Sequence, residues 1–274
     1  MKEREPFHWR TSIAYKTRDS IVVRGYDLNE LVGNINFTEM AYLVITGELP
    51  DRKKKILLDA LLVSLAEHAF SPSSVSARFV ASGGVPLNTA VAGGVLAMGE
   101  RHASADIPAR MYIEGIEECE RESISIEESA ERIVARYRKE GRILNGYHHP
   151  QHVKDPRVER LFEIARDNGL YDRHCKLARA IEEMTEKYYS RRLYMNAPGA
   201  FAAIGCDMGL KPGQIKGLII LSRTVSLVAH SLEEMERERG WRASTKSEIV
   251  QPLDLSLQLP QYYDGPPERR LEKS

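Results

Sequence analysis

Three of the chain's eight histidines, His148, His149 and His152, crowd into the stretch NGYHHPQHVKDPR at residues 145–157. Imidazole changes charge near neutral pH, so such a cluster points to proton exchange or to a metal ion. Gly146 permits a sharp turn before it, and Pro150 prevents a helix from running through it, so the segment reads as a loop. Asp155-Pro156 then reads as a helix start, with Asp155 as N-cap and Pro156 at the first helical position. A histidine loop leading into a helix N-terminus that carries Arg157 suits an anionic, proton-exchanging substrate. Metal binding is the weaker reading. His148 and His149 are adjacent and separated from His152 by Pro-Gln, so the three could not easily converge on one ion. No H-E-x-x-H motif or cysteine pair supports one, and the expectation is no metal.

Other residues could join this chemistry. His68, in EHAFSPSS, falls at the end of an expected helix, where a lone histidine is more often a C-cap than a ligand. His102, in GERHASAD, lies in a turn among small residues that would let a substrate approach closely. Arg223 sits inside an apolar helical stretch over 218–232, and a buried guanidinium needs an anionic partner. That partner is either a protein carboxylate or a substrate carboxylate. No G-x-S-x-G elbow, G-x-G-x-x-G or phosphate-binding P-loop occurs, which leaves those hydrolytic and nucleotide-binding devices unsupported.

The elements that must position these side chains are helical. Residues 12–27 hold the only β-like stretch, with Ile21, Val22 and Val23 after a polar turn at 17–20, and are expected as a hairpin or extended arm. Asn36-Phe37-Thr38-Glu39 is a capping box before an apolar run, with Gly47 and Pro50 ending the helix. Further helices are expected over 51–67, 72–79, 86–98, 125–140, 155–167, 172–188, 199–208 and 212–237. The small residues of 86–98 suit a buried helix in close contact with its neighbours. The mixed-sign runs at 52–55 and 233–238 read as solvated helix faces. The fold class is all-α, with nine or ten helices, a short N-terminal β-like arm and an extended, proline-rich tail over 251–274.

Bulk properties exclude several classes. Lys+Arg 39 against Asp+Glu 39 gives no net charge, which argues against a nucleic-acid footprint. Cys119, Cys175 and Cys206 are widely spaced and odd in number, as free thiols in a reducing compartment would be. The charged N-terminus carries no secretory signal, and the apolar run over 217–231, interrupted by Ser222 and Arg223, is too short to span a bilayer. The expectation is a soluble cytoplasmic protein without a membrane partner.

Several motifs, in order, resemble one family. RGYDLNELVGNINFTEMAYLVITGELP at 24–50 is similar to the N-terminal signature of the citrate synthase superfamily. HAFSPSSVSARFVAS resembles the segment with its first substrate histidine, and GERHASA its G-x-x-H-G-G-A loop. GYHHPQHVKDPR resembles the G-[FY]-G-H…D-P-R motif, LSRTVSLVAHSLEE the late helix that supplies an arginine, and YYDGPPERRL the Y-x-G-P ending. The length resembles the short citryl-CoA lyase type. The resemblance covers nearly the whole chain and implies an all-α homodimer, with a large helical domain built from both chain ends and a smaller helical subdomain over roughly 104–200. It further implies an enzyme that makes or breaks a carbon–carbon bond between an acyl-CoA and a 2-oxo acid, such as acetyl-CoA and oxaloacetate. Coenzyme A would enter as the substrate thioester, with no tightly bound cofactor.

The resemblance places catalytic roles on His102, as donor to a thioester enolate, and on His149, as acid–base group at the carbonyl or hydroxyl oxygen. It places carboxylate binding on His68, Arg157 and Arg223. The chain departs from the family where chemistry is expected. His148 stands where the family has glycine, and one residue fewer precedes Asp155. Ala103 and Ser104 replace two glycines, and Asn196-Ala197-Pro198-Gly199 occupies the N-x-D-G stretch, so Pro198 stands in place of the catalytic Asp. Asn196, Pro198 and His148 are therefore the positions where chemistry could be altered. Losing the base harms retro-aldol cleavage less than synthesis. The rival reading is a non-catalytic CoA-ester- or carboxylate-binding relative, or a partner subunit of an active homologue.

Overall fold

The computed structural model of the chain describes residues 8–150 and 152–242. The expected tail at 251–274 lies outside the described residues. Within them the N-terminal arm is a three-stranded antiparallel sheet of β1 (Ala14–Lys16), β2 (Ile21–Val23) and β3 (Tyr26–Asp27). The Thr17 and Ser20 hydroxyls, 2.8 Å apart, close the first turn. Arg24 and Gly25, with φ of 50° and 90°, close the second in the twist that favours hairpins. Val23 packs with Leu31 and Leu43 in a small separate core. The Arg24 guanidinium donates to the Val44 carbonyl at 2.8 and 3.2 Å, pinning the sheet to the helices.

Eleven helices follow among the described residues, and the fold is all-α with this small β addition. After the short α1 (Leu28–Leu31), α2 (Phe37–Thr46) has the expected Asn36/Glu39 capping box and a left-handed Gly47 at its end. Asp51 caps α3 (Arg52–Ala66), and α4 (Pro72–Ala81) and α5 (Leu87–Leu96) pack side by side against α11 (Pro212–Arg237). A Cβ at Gly94 would lie 2.9 Å from the Ser73 carbonyl oxygen, so this glycine permits close approach, but α5 is not the buried helix expected, since only Ala90 and Gly94 are buried and Leu96 is 87 % exposed. Ser125 caps α7 (Ile126–Lys139) and Asp155 caps α8 (Pro156–Asp167). α9 (Arg173–Tyr189) precedes α10 (Ala197–Asp207), which touches α3, α6, α8, α9 and α11 and is almost wholly buried.

Four further readings are corrected. Residues 106–122, assigned to no element from sequence, form α6 (Asp106–Glu122). Its Ala105 start offers no side-chain cap, but Pro108, Met111, Tyr112, Gly115, Ile116 and Cys119 bury one face at helical spacing. The helix expected from 199 begins at Ala197, which puts Pro198 within its first turn. The run 233–238 is not uniformly solvated, because Glu234 is 1 % exposed and binds Arg78 and Arg242. Finally, α11 does have the length and composition of a membrane span, and 44 % of its most apolar window is buried in the protein. Cys119, Cys175 and Cys206 are buried free thiols.

Candidate active site

All eight residues singled out from the sequence line one cavity of about 310 Å³. They arrive from six separate segments. His68 follows the α3 C-cap, beyond the position from which it could cap the helix. The chain turns at Ala69 (φ 48°), held by a 2.7 Å bond from Ser74 Oγ to the Ala69 carbonyl. His102 comes from the α5–α6 loop, and His148 and His149 from the loop before α8. Arg157 lies in the first turn of α8, Asn196 and Pro198 at the start of α10, and Arg223 in the middle of α11.

Backbone bonds set these loops. Tyr147 bridges Met195, the His148 N–H donates to Tyr194 O at 2.7 Å, and Asn196 Nδ2 donates to His148 O at 2.9 Å. The histidine loop and the α10 N-terminus therefore move as one unit. Gly146 and Gly199 meet at its centre, where a Cβ on Gly199 would fall 2.3 Å from Gly146 O. Ala103 and His148 have φ of 61° and 67°, a left-handed backbone that costs each of these non-glycine residues about 1 kcal/mol or more.

Three residues that the sequence reading left without a role in the site take part in building it. Fully buried Ser73 places its hydroxyl 2.8 Å from His102 Nε2, fixing that ring. Lys216 donates to Met98 O at 3.1 Å and Ala103 O at 2.8 Å, holding the His102 loop from below. Asp155 does more than cap α8. It grips Arg157 at 2.9 and 2.7 Å and accepts from the Ala197 N–H at 2.9 Å, so it ties α8 to α10. Burial pushes this carboxyl up, but the Arg157 bonds and charge, with the two backbone N–H donors, hold it at about 2. Ser73 and Lys216 have no sequence signature beyond a lone polar residue, whereas Asp155 stands in the D-P-R motif.

The two arginines differ in kind. Arg157 is already paired with Asp155. Arg223 is 5 % exposed, with Nε and Nη1 buried and unbonded, and no carboxylate reaches it within ion-pair distance among the described residues. The Glu67 carboxylate acts on it only through its charge, without an ion-pair contact. No Asp or Glu lines the cavity among the described residues.

The imidazoles facing Arg223 are held neutral. Burial, then the charges of Arg223, Lys216 and His68, lower His102 to about 4. Burial, then His152 and His68, lower His149 to about 4, and burial with Arg157 lowers His68. The His152 N–H donates to His149 Nδ1 at 3.2 Å, so the neutral His149 ring carries its proton on Nε2. An unfolded chain takes up these protons near pH 6.5, whereas the folded one resists until about pH 4. Stability should therefore be unaffected by these rings above pH 6.5 and fall as the pH drops from 6.5 towards 4. Urea midpoints at pH 7.5, 6 and 5 check this. His102→Gln should flatten the decline, and an equal slope in that variant would contradict the assignment.

The sequence model described as "Citrate synthase, C-terminal domain" matches residues 52–244. A solved structure of citryl-CoA lyase from Hydrogenobacter thermophilus superposes with a TM-score of 0.82 at 35 % identity, covering 96 % of this chain and 97 % of that one. ATP citrate lyase of Methanosaeta concilii, in complex with (3S)-citryl-CoA, shares the fold (TM-score 0.70, 18 % identity, 90 % of this chain and 44 % of that one). The citrate synthase of Heyndrickxia coagulans is 27 % identical over 222 residues, 78 % of this chain and 56 % of that protein. The chain thus spans about half the length of the curated relatives it matches.

Proposed function

The chain belongs to the citrate synthase family, resembling its short citryl-CoA lyase type, and we propose that it cleaves a CoA thioester bearing a tertiary hydroxyl and carboxylates into an acyl-CoA and a 2-oxo acid. The observation that carries this reading is Arg223, a buried guanidinium with unbonded Nε and Nη1 in a cavity where burial lowers His102 and His149 to about 4. A substrate carboxylate completes it, with His68 and the outer face of Arg157 as further donors. His102, whose Nε2 is engaged with Ser73, donates to the thioester oxygen on which enolate charge develops. His149 serves the hydroxyl oxygen. In cleavage the hydroxyl proton passes to His149, which must then present a lone pair at the expense of its long bond from the His152 amide. The carbon–carbon bond breaks, its electron pair becomes the enolate, and the enolate is protonated from solvent. That direction needs no base to remove an α-proton, and no carboxylate among the described residues lines the cavity to act as one.

The purified protein should convert citryl-CoA to acetyl-CoA and oxaloacetate, the latter followed with malate dehydrogenase and NADH. His149→Ala should reduce turnover by about 10²–10⁴-fold with the fold intact. If wild type and variant are equally inactive while citryl-CoA still raises the melting temperature, the protein is a binder and the catalytic reading fails.

The active unit in this proposal is a homodimer. Phe79 on α4, Leu96 on α5 and Val225 on α11 are exposed apolar side chains on three helices that pack together, as a subunit interface would use. Light scattering should give a dimer that Phe79→Glu weakens. A monomeric wild type at micromolar concentration would refute it.

A further inference from the structure

We propose that His68, His149 and His152 form a binding site for one divalent transition-metal ion of the zinc class, set between the substrate cavity and a neighbouring hollow. One ring nitrogen from each lies within 4.8 Å of the others. His68 Nε2 and His152 Nε2 are 3.1 Å apart, and the ring centroids of the three are 4.5–5.3 Å from one another. A tetrahedral ion with metal–nitrogen bonds of about 2.0–2.1 Å needs nitrogens roughly 3.3 Å apart. The first pair already has that spacing, and His149 must close by a small ring rotation.

The sequence argument against a metal concerned a different triad. His148 is not in this cluster, and His68, 84 residues before His152, takes its place. His149 lines both the substrate cavity and the second hollow of about 330 Å³, which offers an ion a path in. The charged groups acting on His68 and His149 are Arg157, Arg223 and Asp155. Asp155 already neutralises Arg157 through two bonds, and the charges that oppose an ion are Arg223 beside His68 and Arg191 and Arg192, which line the second hollow. The 3.2 Å bond from the His152 amide to His149 Nδ1 must give way if that nitrogen is the ligand.

The site itself does not depend on the proposed function. Its consequence does: a metal on His68 and His149 removes one carboxylate donor and the acid–base group, so zinc should inhibit cleavage.

The test uses the tag-free full chain and Co²⁺ as probe. One equivalent should develop the visible ligand-field bands of a four-coordinate ion, and Zn²⁺ should bleach them. His152→Ala should weaken binding by at least about tenfold, the scale on which even outer partners of metal ligands act. His68→Gln should do the same, and His8→Ala, at an exposed position, should leave it unchanged. Absence of the bands in the wild type, or equal affinity in His152→Ala and wild type, overturns the site. A protein that binds Co²⁺ in this way but never cleaves citryl-CoA sinks the lyase reading and leaves the site standing.

Discussion

Arg223→Met should yield a protein that is more stable than the wild type and almost inactive. The guanidinium lies 5 % exposed in α11, with two of its nitrogens buried and unbonded. Burial pushes its proton affinity down, with Glu67 opposing that shift and Arg157 adding to it. Replacing such a buried charge with an apolar side chain of similar length commonly stabilises a fold by about 1–4 kcal/mol. The same change removes the cation proposed to hold a substrate carboxylate, and losing one partner of a buried charged pair costs a complex about 2–5 kcal/mol. The expected result is a higher urea midpoint, a thirty-fold or greater loss of kcat/KM (roughly the lower end of that range) and no thermal shift with oxaloacetate. Wild-type protein should gain stability from the same ligand. A destabilised Arg223→Met protein would mean that the arginine has a structural anion outside the described residues. Unchanged kinetics would remove it from the site.

Pro198→Asp should increase removal of the acetyl-CoA α-proton in this cavity. Pro198 lines the cavity in the first turn of α10, after the Asn196 N-cap whose side chain accepts from Gly199 N. An aspartate is well tolerated in a first helical turn, where the exposed N–H groups favour negative charge. The substitution therefore adds a base without disturbing the cap. If the resemblance aligns Pro198 correctly with the family's catalytic Asp, exchange of the acetyl-CoA methyl protons with D₂O should rise by about 10²–10⁴-fold. Pro198→Asn, equal in size and uncharged, should show no rise. A folded Pro198→Asp protein that exchanges no faster than Pro198→Asn would mean the carboxylate points elsewhere, and the alignment at this position would be wrong. Cleavage should change much less, because its enolate forms by bond breaking rather than by deprotonation.

Much of the fold was legible because its signals are local. Asn36 and Glu39 lie three residues apart and cap one helix, Asp155 and Pro156 start another, and the apolar faces of α3, α7 and α8 repeat within a few turns. α6 was missed because its start offers no capping side chain, and its evidence is the face it buries against α7, α9 and α10. The 233–238 run was misread for the same reason. Charge alternation along a helix says nothing about Arg78, more than 150 residues earlier, closing over Glu234.

The site divides along the same line. Residue types and spacings, with the family resemblance they carry, were enough to name His68, His102, His149, Arg157 and Arg223, and to flag His148, Asn196 and Pro198. Side-chain chemistry is written in the residue itself, and a turn or cap needs only a few neighbours. Tertiary structure alone decided which of these groups have partners. It left Arg223 without a carboxylate within ion-pair distance among the described residues. It lowered the imidazoles by burial, and it set Ser73 behind His102. It also exchanged His148 for His68 in the cluster that faces His152. Distance, burial and hydrogen-bond partnership arise between segments far apart in the chain, and no local pattern encodes them.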